Sequence, residues 1–165
     1  MAPKGKMGSV LAFDPGYERL GAAVVGYNNE RETLIHSECI TTSASLLYHE
    51  RLAKIGAAVE SLVDKYKPTM IAIETLYFST NQKTAMQVAG VRGVLLYIGA
   101  RHNLRVFQYT PLEIKIAVTG YGKSTKKDVT AMVHRLVSIK KEIAYDDEYD
   151  AIAIGLTCLA RERFF

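Results

Sequence analysis

Short apolar runs alternate with longer segments of helical period, and no other feature of this sequence restricts its fold as strongly. The apolar runs predict strands at residues 9–13, 20–26, 33–40, 70–73 and 105–108. The spacing of the first three favours an antiparallel hairpin or meander. Three- and four-residue periodicity predicts helices at 43–66, 81–101, from 110 onward, 125–137 and 146–163. This order predicts a mixed sheet flanked by helices, of the α/β or α+β class.

Length and composition restrict the class of protein further. With 165 residues, 48% of them hydrophobic, the chain fits a single domain spanning 1–165, with a flexible N-terminus at 1–7. No apolar stretch approaches the length of a membrane span, and residues 1–14 do not form a secretory signal. Cys39 and Cys158 show no metal-ligand spacing and are expected to stay reduced. These features predict a cytoplasmic protein that makes no membrane contact.

The charges are distributed unevenly along the chain. Residues 101–141 carry nine Lys or Arg against only Glu113 and Asp128, although the net charge of the whole chain is +4. Five acidic residues then crowd into 142–150. A basic block beside an acidic cluster is typical of a polyanion partner and a cation site. The alternative is that both are solvated faces.

Carboxylates stand at the ends of two predicted strands and at the start of the last helix. Asp14 follows the first strand and Glu74 the fourth, whereas Asp147 and Asp150 share one face of the helix. A turn at Asp14 and simple capping of the last helix are the alternative explanations. If all of these carboxylates meet, a bound cation must offset their repulsion, and oxygen ligands select Mg²⁺ or Mn²⁺. A pair of such ions supports phosphodiester hydrolysis.

The segment 120–125 resembles the end of a phosphate-binding P-loop. The full motif requires a glycine five residues before Gly122, where this chain has Ala117. It also requires a preceding strand, whereas Thr110 and Pro111 predict the start of a helix just upstream. Nucleotide binding is therefore not expected at this segment.

Three acidic motifs, at residues 11–16, 71–74 and 147–153, together resemble those of the RuvC family of Holliday-junction resolvases. The similarity runs from about residue 8 to 160 and includes 89–94 and 111–133. It implies a ribonuclease-H-like fold with a five-stranded mixed sheet flanked by helices. It also implies a metal-dependent endodeoxyribonuclease that nicks four-way DNA junctions symmetrically in recombination and repair, with a pair of Mg²⁺ ions that Mn²⁺ can replace.

The resemblance also assigns roles to individual residues. The metal-binding and catalytic carboxylates would be Asp14, Glu74, Asp147 and Asp150, with Lys126 beside the scissile phosphate. The DNA-binding residues would be Tyr77, Phe78, Lys115, Lys123, Lys126 and Lys127. Tyr77 or Phe78 is expected to stack on bases at the junction.

A homodimer is expected, because a nearly two-fold symmetric junction needs two cuts and one chain offers one acidic site. The resemblance implies dimers, and Ala85, Ala89 and Gly93 would allow two helices to approach closely. The alternative is that these small residues pack against the protein's own sheet. Branch-migration proteins are further possible partners. Two other functions stay open: a nuclease of this fold acting on RNA or RNA–DNA hybrids, and a non-catalytic junction-binding protein.

Overall fold

The computed structural model describes residues 8–75 and 81–162. The strands are β1 (Val10–Pro15), β2 (Arg19–Asn28), β3 (Arg31–Thr41), β4 (Met70–Glu74) and β5 (Arg105–Tyr109). The helices are α1 (Tyr48–Tyr66), α2 (Gln82–Arg101), α3 (Pro111–Thr119), α4 (Lys126–Leu136) and α5 (Asp146–Arg161). The predicted element order is confirmed.

The strands form one five-stranded mixed sheet in the order β3-β2-β1-β4-β5. The first three strands are antiparallel, whereas β4 is parallel to both β1 and β5. Phe13 lies opposite Ile73, and Ile73 lies opposite Gln108. Strands β1, β4 and β5 therefore end at the same edge of the sheet, where α/β proteins place their functional groups.

Helices cover both faces of the sheet, which explains why the central strands are apolar without alternation. On one face of the sheet, Ala12 and the side chains beside it on β2 and β4 pack against α3, α4 and α5. Leu11 and Phe13 point to the opposite face, where α1 and α2 cover them. The position of α5 matters most for the site, because this helix lies across β1 and β2. A Cβ on Gly155 would come within 2.6 Å of Val25 Cγ2, so this close approach requires glycine.

Several element boundaries differ from the sequence prediction, most clearly those of α1, β2 and β3. Helix α1 starts at Tyr48 and not at 43, because Ser43 and Ser45 form a local turn. Such side-chain hydrogen bonds compete with helical ones. Strands β2 and β3 extend further than predicted toward a tight hairpin, in which Asn29 and Glu30 both adopt positive φ. None of the helices in residues 8–75 and 81–162 is long and apolar enough to cross a membrane.

Candidate active site

Asp14 and Glu74 lie next to each other at the common edge of the parallel strands. The pairing of β1 with β4 reaches Phe13 and Ile73, and the two carboxylates are the next residues on each strand. The backbone of Glu74 is paired in turn with Tyr109 of β5, and Thr75 N donates to Tyr109 O over 2.8 Å. Two strands far apart in the sequence thus bring their terminal carboxylates together.

The first turn of α5 approaches the same edge from one face of the sheet. Gly21 of β2 is the ladder partner of Asp14, and a Cβ on Gly21 would fall 1.9 Å from the Asp147 carbonyl oxygen. The helix therefore begins directly above β2, beside Asp14. Asp147 and Asp150, three residues apart, share a face of this helix.

The pKa shifts of the carboxylates show that they interact. Burial, followed by the negative charges of Asp150, Glu74 and Asp147, raises the pKa of Asp14 to about 8, with partial relief from Lys126. Burial and the charge of Asp150 also raise the pKa of Glu74. For Asp150, burial and the neighbouring Asp147 raise the pKa against the opposing effect of Lys126. All four acids thus belong to one electrostatic cluster, as the sequence motifs predict.

Two cations are paired with this acidic cluster. Lys126 Nζ lies 3.0 Å from Asp150 Oδ2 and 3.8 Å from Asp146 Oδ2. Its partial burial lowers its pKa, but the hydrogen bond and charge of Asp150 outweigh that effect and raise it, so the ammonium stays charged. Arg19 Nε lies 3.0 Å from Asp147 Oδ2. Each carboxylate on α5 therefore has a positive partner.

A cleft of about 260 Å³ opens beside the acidic cluster. Glu74 and Asp150 line it together with Lys115 and Lys126, and the apolar part of its wall comes from α3, α4 and α5. The structure thus brings two of the predicted DNA-binding lysines to the carboxylates. Both lie on helices that begin at a threonine cap, Thr110 for α3 and Thr125 for α4.

The remaining predicted residues are placed differently. Lys123 and Lys127 are exposed around the turn between α3 and α4 and do not line this cleft. Tyr77 and Phe78 lie outside the described residues. The segment 120–125 follows helix α3 and not a strand, so its P-loop resemblance has no structural basis.

The model of the family described as crossover junction endodeoxyribonuclease RuvC matches residues 10–158. The chain belongs to the RuvC family. The RuvC of Alkaliphilus oremlandii is 37% identical over 147 residues, which span 89% of this chain and 90% of that protein. The RuvC of Fusobacterium nucleatum is 36% identical over 90% of this chain and 78% of its own length. The chain is thus a crossover junction endodeoxyribonuclease, a metal-dependent Holliday-junction resolvase.

Solved structures agree with the RuvC assignment. The Thermus thermophilus RuvC in complex with a Holliday junction substrate superimposes with a TM-score of 0.88 at 29% identity, over 94% of this chain and 95% of that one. The yeast mitochondrial resolvase Ydc2 has a TM-score of 0.69 at 13% identity, over 96% of this chain and 80% of its own, and shares the fold. The predicted ribonuclease-H-like architecture is therefore confirmed.

One buried cluster beside the RuvC acidic motif was not anticipated from the sequence. Glu148, only 4% exposed, accepts a hydrogen bond of 2.6 Å from Ser37 Oγ and forms an ion pair with Lys141. Lys141 Nζ also donates to the Ser37 carbonyl oxygen over 2.6 Å. This cluster connects β3 to the first turn of α5, which carries Asp147 and Asp150. No local pattern signals it, because Ser37 and Glu148 are 111 residues apart.

The acidic cluster fits a divalent cation by its donor chemistry. Among residues 8–75 and 81–162, no three His, Cys, Asp or Glu side chains already surround a point where an ion could lie. Asp147 and Asp150 are turned toward Arg19 and Lys126 instead. All four acids nevertheless offer hard oxygen atoms, and their repulsion is partly what raises the pKa of Asp14. A divalent cation would replace the two ion pairs and relieve that repulsion.

Proposed function

We propose that this RuvC-family enzyme resolves Holliday junctions by paired symmetric nicks, with Asp14, Glu74, Asp147 and Asp150 as its catalytic carboxylates. These residues would hold a pair of Mg²⁺ ions, which Mn²⁺ can replace. The observation that carries the proposal is geometric: Asp14 and Glu74 end two paired strands, and the first turn of α5 lies against the same edge of the sheet. The raised pKa of Asp14, caused by burial and then by the charges of the other three, agrees with it. Capping of α5 would account for Asp147 but not for carboxylates at two strand ends.

Each part of the chain has a distinct task in this mechanism. The rigid edge formed by β1 and β4 holds Asp14 and Glu74, and α5 brings Asp147 and Asp150 to them. The chemistry that bound divalent ions supply in phosphodiester hydrolysis is activation of water and stabilisation of the leaving oxygen. The four carboxylates would hold those ions at the edge of the sheet, and the scissile phosphate would bind beside them.

Lysines would hold the DNA backbone around this edge. Lys126 would be catalytic: its charged ammonium, 3.0 Å from Asp150 Oδ2, lies where it could stabilise the charge that develops on the scissile phosphate. Lys115 lines the same cleft and would bind a neighbouring phosphate. Lys123 and Lys127 would bind further phosphates around the turn between α3 and α4, and Tyr77 or Phe78 would stack on junction bases.

Two copies of the chain would act together on one junction. On α2, Ala85 is buried against the protein's own core, whereas Ala89 and Gly93 are exposed. The stripe of small residues therefore begins at the protein's own core and continues onto the exposed side of α2, because positions four apart are offset by about 40° and the packing of α2 decides which of them is covered. Met86 and Tyr97, 74% and 63% exposed, extend the outer face. An exposed apolar helix face of this kind supports a dimer interface.

The domain organisation, location and partners of the enzyme follow from the same proposal. The chain 1–165 would act as a single nuclease domain, associated with DNA in the cytoplasm, and branch-migration proteins of the same pathway would be its partners. A labelled four-way junction, an RNA–DNA hybrid and a plain duplex test the substrate class. Junction cleavage that requires Mg²⁺ is the expected result, whereas preferential cleavage of the hybrid, or metal-independent binding without cleavage, contradicts it.

A further inference from the structure

The turn between α3 and α4 presents an aromatic side chain to solvent. Tyr121 is 60% exposed, although tyrosine in a globular protein usually buries most of its ring. Leu112 and Ile116 on the preceding helix are also about half exposed, at 55% and 49%. Gly122 lies against both, and a Cβ on it would come within 2.8 Å of Leu112 Cδ1. The turn therefore rests on an apolar, partly exposed surface of α3.

The backbone of Tyr121 is held firmly by its neighbours. Tyr121 N donates to Thr119 Oγ1 over 3.2 Å, and the Tyr121 carbonyl oxygen accepts from Ser124 Oγ over 2.6 Å and from Ser124 N over 3.1 Å. Ser124 is itself only 6% exposed, and Gly120 supplies the positive φ of 76° that ends α3. The ring of Tyr121 therefore projects from a fixed backbone, which lowers the entropy lost when a ligand binds to it.

The charges around this turn favour a polyanion. Lys123 and Lys127 are exposed at the turn, and Lys115 and Lys126 connect it to the cleft beside the acidic cluster. The two acidic residues nearby already have partners. Glu113 forms an ion pair of 2.8 Å with Arg161, and the Asp128 carboxylate accepts a hydrogen bond from Thr125 N at the start of α4. An exposed ring among lysines is the arrangement by which proteins bind nucleic acids without reading their sequence.

We propose that Tyr121 is a base-stacking contact for junction DNA, separate from the contact expected of Tyr77 or Phe78. The ring would stack on a base exposed where the strands exchange, while Lys115 and Lys123 bind the flanking phosphates. The proposal rests on the proposed function, because it places the DNA on the side of the cleft formed by α3. Tyr121 would position the junction and would not take part in bond cleavage.

The absence of tryptophan from this chain makes a direct test possible. A Tyr121→Trp variant carries one indole, whose fluorescence reports stacking, and Ile35→Trp on β3 is the matched control because Ile35 is also 50% exposed. Four-way junction is added without divalent metal, and binding is followed independently by the anisotropy of labelled DNA. We expect the emission of the Tyr121→Trp variant to be strongly quenched and that of the control to stay unchanged.

The two possible failures can be told apart in this experiment. If the anisotropy shows no junction binding by either variant or the wild type, the proposed function is wrong. If the junction binds and the indole at the turn is not quenched, the proposal for Tyr121 is overturned. Equal quenching in both variants overturns it as well, since the signal would then not depend on the turn.

Affinity provides a second readout that does not depend on the probe. Tyr121→Ala should weaken junction binding about tenfold, whereas Tyr121→Phe should bind within about twofold of the wild type, since stacking needs the ring and not the hydroxyl. Circular dichroism confirms the fold of both variants. A Tyr121→Ala variant that is folded and binds junction as tightly as the wild type contradicts the proposal.

Discussion

Asp14 is the residue on which the electrostatics of the site depend. It sits at the end of β1 with carboxylates on the adjacent strand and on α5, and burial removes most of the solvent that would screen them. Lys126 compensates only in part. In the proposed function, a divalent cation bound by these carboxylates would relieve the repulsion between them. The arrangement that raises the pKa of Asp14 would therefore favour cation binding.

Replacing one carboxylate with its amide should separate cleavage from binding. Asp14→Asn, Glu74→Gln, Asp147→Asn and Asp150→Asn are each expected to lower junction cleavage by at least about a thousandfold, because a metal ligand is lost. Junction affinity should stay equal or rise, since negative charge is removed beside DNA. Asp64→Asn is the control, because Asp64 lies on α1 and forms an exposed ion pair with Lys67, the residue that follows this helix. Wild-type cleavage by any of the four variants would exclude that residue from the site.

The raised pKa of Asp14 predicts how the stability of the metal-free protein depends on pH. With a folded pKa of about 8 against an ordinary 3.8, the native state keeps a proton that the unfolded chain releases. The free energy of unfolding should therefore fall as pH rises from about 4 to 8, by at most about 1.4 kcal/mol per pH unit from this group.

Urea unfolding at several pH values with a chelator present measures this dependence. Asp14→Asn should show a flatter profile than the wild type over that interval, because the asparagine does not titrate. Added Mg²⁺ should stabilise the wild type most at the upper end of the interval, where Asp14 is ionised. Parallel profiles for the two proteins would show that Asp14 does not carry the shifted titration.

At the scale of elements, the placement of α5 decides whether the site forms. This helix is buried from Ala151 to Leu159, and its first turn is held from two sides. Gly21 lets it rest on β2, and the cluster of Ser37, Lys141 and Glu148 connects it to β3. Asp147 and Asp150 therefore owe their positions to contacts made by neighbouring strands, because the helix itself fixes only their spacing.

Gly21→Ala should displace the start of α5 and impair both folding and cleavage. The added methyl would fall 1.9 Å from the Asp147 carbonyl oxygen, so the helix must move away from β2. We expect a loss of roughly 1–3 kcal/mol in unfolding free energy and a larger relative loss of cleavage than of junction binding.

Gly56→Ala is the matched control for that substitution. The nearest atom to its new Cβ would be Val94 Cγ1 at an ordinary 3.5 Å, and Gly56 lies within α1. The unfolding free energy of the Gly56→Ala variant should rise by about 0.5–1 kcal/mol, because alanine favours the helix more than glycine does. Unchanged stability and cleavage in Gly21→Ala would show that α5 does not pack directly against β2 at Gly21.

At the scale of the whole molecule, the two faces of the sheet carry different tasks. Helices α3, α4 and α5 surround the acidic cleft with lysines, whereas α1 and α2 cover the other face. The outer side of α2 exposes Met86, Ala89, Gly93 and Tyr97. Separate surfaces for DNA and for a second copy of the chain would suit the proposed dimer, in which two active sites act on one junction.

Ala89→Glu tests the dimer without disturbing the core, because Ala89 is exposed on α2. The new charge would have to be desolvated in an interface, so we expect sedimentation to show a monomer with an unchanged circular dichroism spectrum. Paired cuts should give way to single, uncoupled nicks. Ala53→Glu, an exposed position on α1, should leave the dimer intact. A wild type that sediments as a monomer and still makes paired cuts would contradict the dimer.

Much of the fold could be predicted from the sequence because its signals are local. Thr110 and Thr125 cap α3 and α4 through hydrogen bonds to residues three positions ahead, so a short window contains the whole signal. The apolar strands that end in Asp14 and Glu74 are recognisable in the same way, and the family motifs then related them to α5. That Asp147 and Asp150 share a helix face follows from the backbone repeat alone.

The contacts that needed the tertiary structure join residues far apart in the chain. Nothing near Glu148 indicates Ser37, and nothing near Asp147 indicates Arg19, because each partner arrives on another element. The split of the small residues on α2 depends on how the helix is rotated against the sheet, which is decided by packing of the whole core. Local sequence preferences decide where helices and strands form. Their relative placement is decided only when the side chains on both faces of the sheet are buried together.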